Sequence, residues 1–273
     1  MSVGEGGEWR LLEDREGDIA FHMARDEAIF EAVCANISPS TMRLYQCSQP
    51  SITLGRFQDI ERTMFSDDVA TIEVPMTRRV SGGRGILHGD DLIVSIIANV
   101  ADFGLATPNN SRVIDIYRRT ANIFIEALQQ IGIDAGMGSC DYCPKQSAYG
   151  DCFAVATSAD IIELGSGVKL LGAALFKRDS VFLSQLSLPL NHNFELYREL
   201  SARVFRGDKR REKLPPLSLS DLRTALLEAF KSQMASSLIV SLATDFEARL
   251  TQELEEGRYQ NRNWIRKGFS PLK

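Results

Sequence analysis

Apolar residues at helical spacing predict two long helices in the first half of the chain. The first begins after Asp18, a residue type favoured at helix N-caps, and its apolar side is formed by Ala20, Met23, Ala24, Ala28 and Val33. The second opens at Ser111 and stops at Gly132, with an apolar side formed by Val113, Tyr117, Phe124, Leu128 and Ile131. This periodicity is typical of helices that pack one face against a core.

Short apolar runs broken by glycine and proline predict strands around the second helix. Before it they cover residues 43–47, 71–74 and 92–100, and after it residues 152–156, 160–164, 169–175 and 180–188. The sequence Gly165-Ser166-Gly167 predicts a hairpin turn. Because these strands are short and closely spaced, we predict an α+β fold with a central, mainly antiparallel sheet flanked by helices.

The chain becomes helical again from about Tyr197. The basic run at residues 209–211 and the pair Pro215-Pro216 separate one helix from the next, and Ser218 to Asp221 resembles a capping box that opens a helix through Phe230. We therefore predict a main domain over residues 1–214 and a C-terminal helical extension over residues 215–273 packed on it.

Composition is that of an ordinary globular chain, with 273 residues of which 44% are hydrophobic and 25% charged. The longest apolar stretch, residues 92–100, contains Ser95 and Asn99 and is far shorter than the roughly 20 residues of a membrane helix. The N-terminus lacks the basic region and apolar run of a signal peptide. We expect a cytoplasmic protein that spans no membrane, and the net charge of −5 gives no reason to expect nucleic acid as a partner.

The five cysteines are an odd number and suit a reducing compartment. Cys140 and Cys143, with Cys152, invite a metal interpretation. Structural zinc takes four ligands, and the only later histidine is His192, so we expect no metal. Free loop thiols and a redox pair with Cys152 are the alternatives.

A glycine-rich segment, Arg78 to His88, is the most distinctive part of the chain. Paired glycines at 82 and 83 allow backbone amides to approach a ligand, and the flanking arginines supply charge for a phosphate or carboxylate. The residues alone are equally compatible with a glycine-rich turn that carries solvated arginines.

A lysine within an apolar strand marks a second segment, Gly165 to Ala174. Burying the Lys169 ammonium is costly unless it is paired or points into a cavity, which favours a site that needs a cation. A lysine on the solvent face of an edge strand is the alternative.

Both segments resemble motifs of the lipoate–protein ligase and octanoyltransferase family. Arg79 to His88 resembles its RR-x-T-G-G-G/R-A-V-x-H motif, and Lys169 to Ala174 resembles its K-I/V-x-G-S/A-A motif. The resemblance continues over nearly the whole chain, since residues 23–27, 50–58 and 254–264 are similar to M-A-x-D-E, to P-x-x-S/T-L-G-x-x-Q and to the L-x-x-K-Y-x-x-x-x-W close of the octanoyltransferase branch.

The resemblance implies the biotin/lipoate protein ligase catalytic fold for residues 1–214, with an acyl tunnel over the sheet. It implies that Lys169 holds the acyl carbonyl or phosphate and stabilises developing negative charge. The residues that it places around the substrate are Arg79, Gly82, Gly83, Arg84, His88, Gly172 and Ala173.

Members of this family use two chemistries. Ligases activate lipoate with ATP and Mg²⁺ as an adenylate, whereas octanoyltransferases take the acyl group from acyl carrier protein as a cysteine thioester. Cys152-Phe153 resembles the C-F of the cysteine-dependent branch, which implies that Cys152 is the nucleophile and Lys169 its catalytic partner, with no cofactor. The alternative for Cys152 is a buried, inert thiol. The implied donor is octanoyl-acyl carrier protein, and the implied acceptor is a lipoyl domain or a glycine cleavage H-type protein.

Some positions depart from the family pattern. Residues 184–188 lack the His and Gly of the usual Q-H-G-S-I, Leu175 replaces a Gln, and Gly85 replaces an Ala. An ATP-dependent lipoate ligase therefore remains an alternative, as does an acyl-binding relative without turnover; a biotin ligase matches the Lys169 segment less well.

His22 on the first helix is interpreted as a structural residue. The basic run at residues 206–213 is either a solvated loop or a docking patch for acyl carrier protein, which is acidic.

Overall fold

The computed structural model describes residues 8–64, 74–105, 112–138, 151–154, 160–206, 213–234 and 237–268. The strands are β1 (Trp9–Glu13), β2 (Thr41–Tyr45), β3 (Ser51–Leu54), β4 (Met76–Arg78), β5 (Ile86–His88), β6 (Asp91–Asn99), β7 (Ala135–Met137), β8 (Ile161–Glu163), β9 (Lys169–Arg178), β10 (Val181–Pro189) and β11 (Leu238–Val240). The helices are α1 (Ile19–Cys34), α2 (Ile60–Thr63), α3 (Val113–Gln130), α4 (Phe194–Val204), α5 (Leu219–Met234), α6 (Asp245–Leu254) and α7 (Arg262–Lys267).

Eight of these strands form the main sheet, in the order β11-β1-β2-β6-β10-β9-β8-β7. Strand β1 pairs in parallel with both β11 and β2, and the remaining neighbours pair antiparallel. The predicted mainly antiparallel sheet with flanking helices is therefore confirmed.

Helices cover both faces of the main sheet. Helices α3 and α5 pack on one face, and α1 with α6 packs on the other. Alternate residues of β6 enter the two cores: Val94 and Ile96 face α3 and α5, while Ile93 and Ile97 face α1. Burial on both faces explains why this strand is a continuous apolar run instead of alternating apolar and polar residues.

A second sheet of three strands, in the order β4-β3-β5, carries the glycine-rich segment. Residues 79–85 form the loop between β4 and β5, which we call the glycine loop. Helix α4 supports this sheet through Tyr197, Val204 and the following Phe205, which pack against Ile52 and Leu87. The buried contacts between α4 and the small sheet thus support the glycine loop.

The predicted strand at residues 152–156 is wrong for its described part. Cys152–Ala154 forms a single 3-10 turn. The Asp151 carboxylate accepts a hydrogen bond from the Phe153 amide at 3.0 Å, and the Cys152 amide donates to the Gly85 carbonyl at 2.9 Å. A local aspartate cap therefore replaces the ladder that a strand would need.

The other long elements lie where the periodicity predicts them. Strand β9 runs to Arg178, beyond the predicted end, because Asp179 adopts a φ of 52° and turns the chain directly into β10. Most of the predicted strand at 71–74 lies outside the described residues.

The predicted domain boundary at residue 214 stays a prediction. Helix α5 packs on α3, and β11 adds an edge strand to the main sheet. No described helix is long and apolar enough to cross a membrane.

Candidate active site

Cys152 lies where the 3-10 turn meets the glycine loop. Its amide is bound by Gly85, and the next turn is fixed by Asp151, whose second carboxylate oxygen accepts a hydrogen bond from the Ser201 hydroxyl on α4. The cysteine is 8% exposed and packs with Ile86 and Phe153. These contacts hold the cysteine in a fixed position in which little of it is exposed to solvent.

Lys169, the first residue of β9, points its ammonium at Cys152. The Nζ atom lies 3.3 Å from Cys152 Sγ, 3.0 Å from the Cys152 carbonyl oxygen and 2.8 Å from an oxygen of Asp160. An ammonium has three N–H donors, so these three acceptors use all of them. The structure therefore brings together the two residues that the sequence predicts as catalytic.

Burial and charge act in opposite directions on this lysine. Burial lowers the pKa of Lys169, but its interactions with the Cys152 sulfur and the Asp160 carboxylate outweigh this effect, so that the pKa of Lys169 is raised above its usual value. The lysine thus stays an ammonium although it is 9% exposed. Positive charge at this point favours a thiolate and, later, an oxyanion.

Asp160 is a site residue that the sequence reasoning did not identify. Its carboxylate forms the ion pair with Lys169 just before β8 begins, and it is nearly buried. Two strands of the main sheet, β8 and β9, set this contact. Since an acid nine positions before a lysine follows no local spacing rule, the register of the two strands is the information that was missing.

Tyr117, on helix α3, is a further ionisable residue that interacts electrostatically with the site. Burial raises the pKa of its phenol to about 12, and the charges of Arg79, Asp160 and Cys152 also act on it. The phenol therefore remains protonated. The helix prediction placed Tyr117 on the apolar side of this helix but gave no reason to connect it with the site.

Arg79 binds the backbone of the glycine loop through its guanidinium group. Its guanidinium donates to the carbonyls of Gly82 at 2.7 Å and Arg84 at 2.6 Å, and also to the carbonyl and hydroxyl of Thr53. Burial lowers the pKa of Arg79 to about 10. In this structure the guanidinium shapes the loop, and its predicted direct contact with substrate stays a prediction.

The two glycines have different environments. Gly83 adopts a φ of +88°, a conformation that favours glycine, and its carbonyl lies so close to Gly55 that a Cβ there would approach it to 2.0 Å. At Gly82 a Cβ would meet nothing within 4 Å. The loop is thus packed closely at Gly83 and open at Gly82, the side from which a ligand can approach.

His88 acts on the loop through a chain of hydrogen bonds. One ring nitrogen lies 2.7 Å from an oxygen of Asp91, and the other lies 2.9 Å from the hydroxyl of Thr53, which in turn accepts from Arg79. The carboxylate of Asp91 also accepts from Ser187. Because both ring nitrogens are engaged, His88 here positions Arg79, and its predicted contact with substrate is untested.

Gln185 fills the position where the sequence departs from the family pattern. Its amide oxygen accepts from the Ser81 hydroxyl at 2.6 Å, and its amide nitrogen donates to Asp26 at 2.7 Å. Asp26 on α1 also pairs with the buried Arg43 at 2.6 Å. The glutamine therefore links the glycine loop to α1, a role that sequence reasoning missed.

Gly172 and Arg84 complete the surroundings of Cys152. A Cβ on Gly172 would touch Cys152 Sγ at 3.4 Å and would lie tightly against the Phe153 ring at 3.3 Å, so Gly172 packs directly beside the cysteine. Arg84 donates to the Asp151 carbonyl at 3.4 Å. Ala173, the next residue of β9, is half-buried. Gly172 and Arg84 thus lie beside the turn that carries Cys152.

A cavity of about 400 Å³ borders Lys169 and Phe153. Its size is within the range of small-molecule sites. Apolar side chains contribute much of the lining, among them Ile133, Val168, Leu170, Leu214 and Leu217. An acyl chain is the kind of ligand that such a lining suits.

The described residues contain no cluster of three or more His, Cys, Asp or Glu side chains that could hold a metal ion. Cys140, Cys143 and most of the basic run at 206–213 lie outside the described residues. His22 is buried; burial lowers its pKa to about 2, and its ring stacks on Tyr45. This histidine packs in the core beneath α1.

The family model described as lipoyl protein ligase A/B catalytic domain matches residues 18–239. The chain therefore belongs to the lipoyl protein ligase A/B catalytic domain family.

Relatives and solved structures agree with this membership. Octanoyltransferase LipM of Halalkalibacterium halodurans is 24% identical over an alignment of 275 positions, and the match covers 94% of this chain and 98% of the relative. Lipoate-protein ligase A bound with ATP matches with a TM-score of 0.80 at 20% identity, covering 96% of this chain and all of that one (100%). The bipartite lipoate protein ligase of Thermoplasma acidophilum, studied with its E2 lipoyl domain, matches with a TM-score of 0.76 at 19% identity, covering 96% and 97%. The predicted fold is confirmed.

Proposed function

We propose that this chain is an octanoyltransferase of lipoate biosynthesis that works through a thioester on Cys152. The observation that carries the proposal is the Lys169 ammonium, 3.3 Å from a cysteine sulfur at the edge of the glycine loop. The name of the Halalkalibacterium halodurans relative supports octanoyl as the acyl group. The donor is octanoyl-acyl carrier protein, and the acceptor is a lysine of a lipoyl domain or H-type protein. We place the reaction in the cytoplasm, where thiols remain reduced.

In the first step the Cys152 thiolate attacks the carbonyl carbon of the donor thioester. A new carbon–sulfur bond forms, and the donor sulfur leaves as a thiolate that takes a proton from water. The Lys169 ammonium provides the positive charge beside the attacking sulfur and the developing oxyanion.

Lys169 changes partners during this step. Before acylation its three N–H groups are used by Asp160, by the Cys152 carbonyl and by the Cys152 sulfur. Once the sulfur is part of a thioester it carries no negative charge and is a weak acceptor. The N–H that it releases is then available for the acyl carbonyl oxygen.

In the second step the neutral amine of the acceptor lysine attacks the thioester. An amide bond forms, the carbon–sulfur bond breaks, and Cys152 leaves as the thiolate, restoring its contact with Lys169. The proton of the attacking nitrogen passes to water. Neither step requires ATP or Mg²⁺.

An ATP-dependent lipoate ligase is the second candidate, favoured by the match to lipoate-protein ligase A bound with ATP. Two assays of lipoyl-domain modification separate the candidates, one with octanoyl-acyl carrier protein and one with lipoate, ATP and Mg²⁺. We expect product in the first assay alone. Modification in the second assay alone, with release of pyrophosphate, would identify a ligase.

Asp160→Asn tests the electrostatic role of the buried pair. The variant keeps an oxygen that can accept from Lys169 but removes a negative charge that raises the lysine pKa. Lys169 keeps its proton until the pH rises through its pKa. Without the Asp160 charge this pKa is lower, so the alkaline limb of the pH–activity profile moves to lower pH. We expect this shift, with a fall in kcat of roughly tenfold or more, as for a weakened hydrogen bond to a charged group.

Asp245→Asn serves as the matched control, because Asp245 is an exposed residue at the start of α6. It should leave the pH–rate profile unchanged. If Asp160→Asn lowers activity equally at every pH, its role is structural and the electrostatic coupling is refuted.

A further inference from the structure

A cationic concavity lies where the turn after β3 meets α7. Residues 56–61 and 266–268 line it, and its volume is about 660 Å³. Arg266 and Lys267 are exposed, and Arg56 is half-buried. Together with Phe57 these three cations define what we call the basic rim.

The balance of charge at the basic rim is positive. Its acidic residues are Asp59 and Glu61, and the Asp59 carboxylate is occupied by two backbone amides at the start of α2 and by Arg62 at 3.6 Å. A positive area on a chain of net charge −5 orients an acidic partner toward this one surface.

Phe57 adds an apolar contact to the basic rim. Its side chain is 86% exposed, and the Arg56 guanidinium lies 5.7 Å from the ring centre. Exposing a large aromatic side chain to water is unfavourable, and aromatic residues with neighbouring arginines are enriched where proteins bind one another. Charge and an exposed ring thus coincide on one surface.

The paired arginines of the glycine-rich segment connect the basic rim with the active site. Arg78 donates to six backbone carbonyls, three in the turn after β3 and three in α7, those of Gly55, Arg56, Gln58, Trp264, Ile265 and Arg266. Arg79, the next residue, binds the glycine loop. One arginine therefore builds the basic rim while its neighbour shapes the loop beside Cys152.

The basic rim is close to the cysteine along this backbone. The Arg56 amide donates to the Ser81 carbonyl at 2.9 Å, and the Gly85 carbonyl accepts from Cys152 at 2.9 Å. Gly85 is four positions after Ser81, a separation that an extended chain spans in at most about 14 Å. A flexible arm attached to a protein bound at the basic rim can cover such a distance.

Burial of the site explains why such an arm is needed. Cys152 is 8% and Lys169 9% exposed, so the body of a protein substrate stays outside and the reacting group alone enters. An acyl carrier holds its thioester at the end of a long arm, whereas the acceptor offers only a lysine side chain. A surface next to the glycine loop, which is open at Gly82, therefore fits the donor better than the acceptor.

We propose that the basic rim binds the body of an acidic acyl carrier protein while its thioester arm reaches Cys152. The inference rests on the proposed function and deepens it by naming the surface that the donor uses. The matching partner surface is acidic with an apolar spot for Phe57.

The test reverses two exposed charges in the double variant Arg266→Glu/Lys267→Glu. Two donors are compared, octanoyl-acyl carrier protein and octanoyl-pantetheine, a neutral thioester that has the arm without the carrier. At low ionic strength we expect KM for the carrier to rise about tenfold or more, since steering changes association by tenfold or greater factors. The increase should shrink with added salt, and the pantetheine kinetics should not change.

A double reversal elsewhere gives the matched control. Arg118→Glu/Lys231→Glu makes the same change of charge on exposed positions of α3 and α5, across the main sheet from α7. It should leave both donors unaffected. An unchanged carrier KM in the rim variant, an equal loss with both donors, or a rise in KM for the lipoyl domain alone would overturn the inference. A wild-type protein that transfers from neither donor would refute the proposed function itself.

Discussion

Cys152→Ala should abolish octanoyl transfer, because alanine offers no nucleophile to form the thioester. The substitution removes one buried sulfur and keeps the backbone contacts of the 3-10 turn, so we expect the fold to persist. Activity is measured as octanoylation of a lipoyl domain from octanoyl-acyl carrier protein, and folding by the thermal transition.

Cys152→Ser provides the finer comparison. Serine is nearly isosteric, but its hydroxyl is much less acidic than a thiol, and the described residues nearest to Sγ offer an ammonium and no free base. We expect a slow ester without efficient turnover. Cys47→Ala, at another buried thiol, is the control and should keep its activity. Full activity of Cys152→Ala would refute the thioester mechanism.

Lys169→Ala should lower the rate of transfer by about a hundredfold or more, which corresponds to roughly 2.7 kcal/mol of lost transition-state stabilisation. The loss has two sources, since the ammonium stands beside both the attacking sulfur and the developing oxyanion. We expect the fall mainly in kcat, measured with saturating octanoyl-acyl carrier protein.

Two further variants separate charge from packing at this position. Lys169→Met keeps the length of the side chain without its charge and should be as inactive as the alanine variant. Lys177→Ala removes a lysine farther along β9, whose ammonium donates to the nearby Asp179 carbonyl, and this variant should remain active. Near wild-type turnover of Lys169→Met would show that the ammonium is dispensable.

The sequence predicts the interior of the fold better than its borders. Helices α1 and α3 have apolar residues at helical spacing, and strands β6 and β10 are long runs rich in apolar residues, so their patterns are visible in the sequence. Strands β7 and β11 have three residues each at opposite edges of the main sheet, and so short a run carries no detectable period. The turn at Cys152 was not predicted because one of its two hydrogen bonds, from the Cys152 amide, is made to the distant Gly85.

The sequence likewise predicts only part of the candidate site. Motifs placed Cys152 and Lys169 in one site, since each motif is a local stretch of sequence. Asp160 and Thr53 were missed, and the partners of Gln185 were not identified, because these contacts are set by sheet register and by packing between elements; Gln185 meets Ser81 from 104 positions away. The resemblance also placed His88 and Arg79 around the substrate, which stays a prediction; in this structure their hydrogen bonds run to the glycine loop and to Thr53, which supports it.

The central claim is an octanoyl group carried on Cys152. Intact-mass analysis after mixing the protein with octanoyl-acyl carrier protein, without acceptor, tests it directly. The thioester mechanism predicts a single octanoyl adduct that hydroxylamine removes and that is absent from Cys152→Ala. A wild-type protein that modifies the lipoyl domain but never shows this adduct, or an adduct of equal amount on Cys152→Ala, would contradict it.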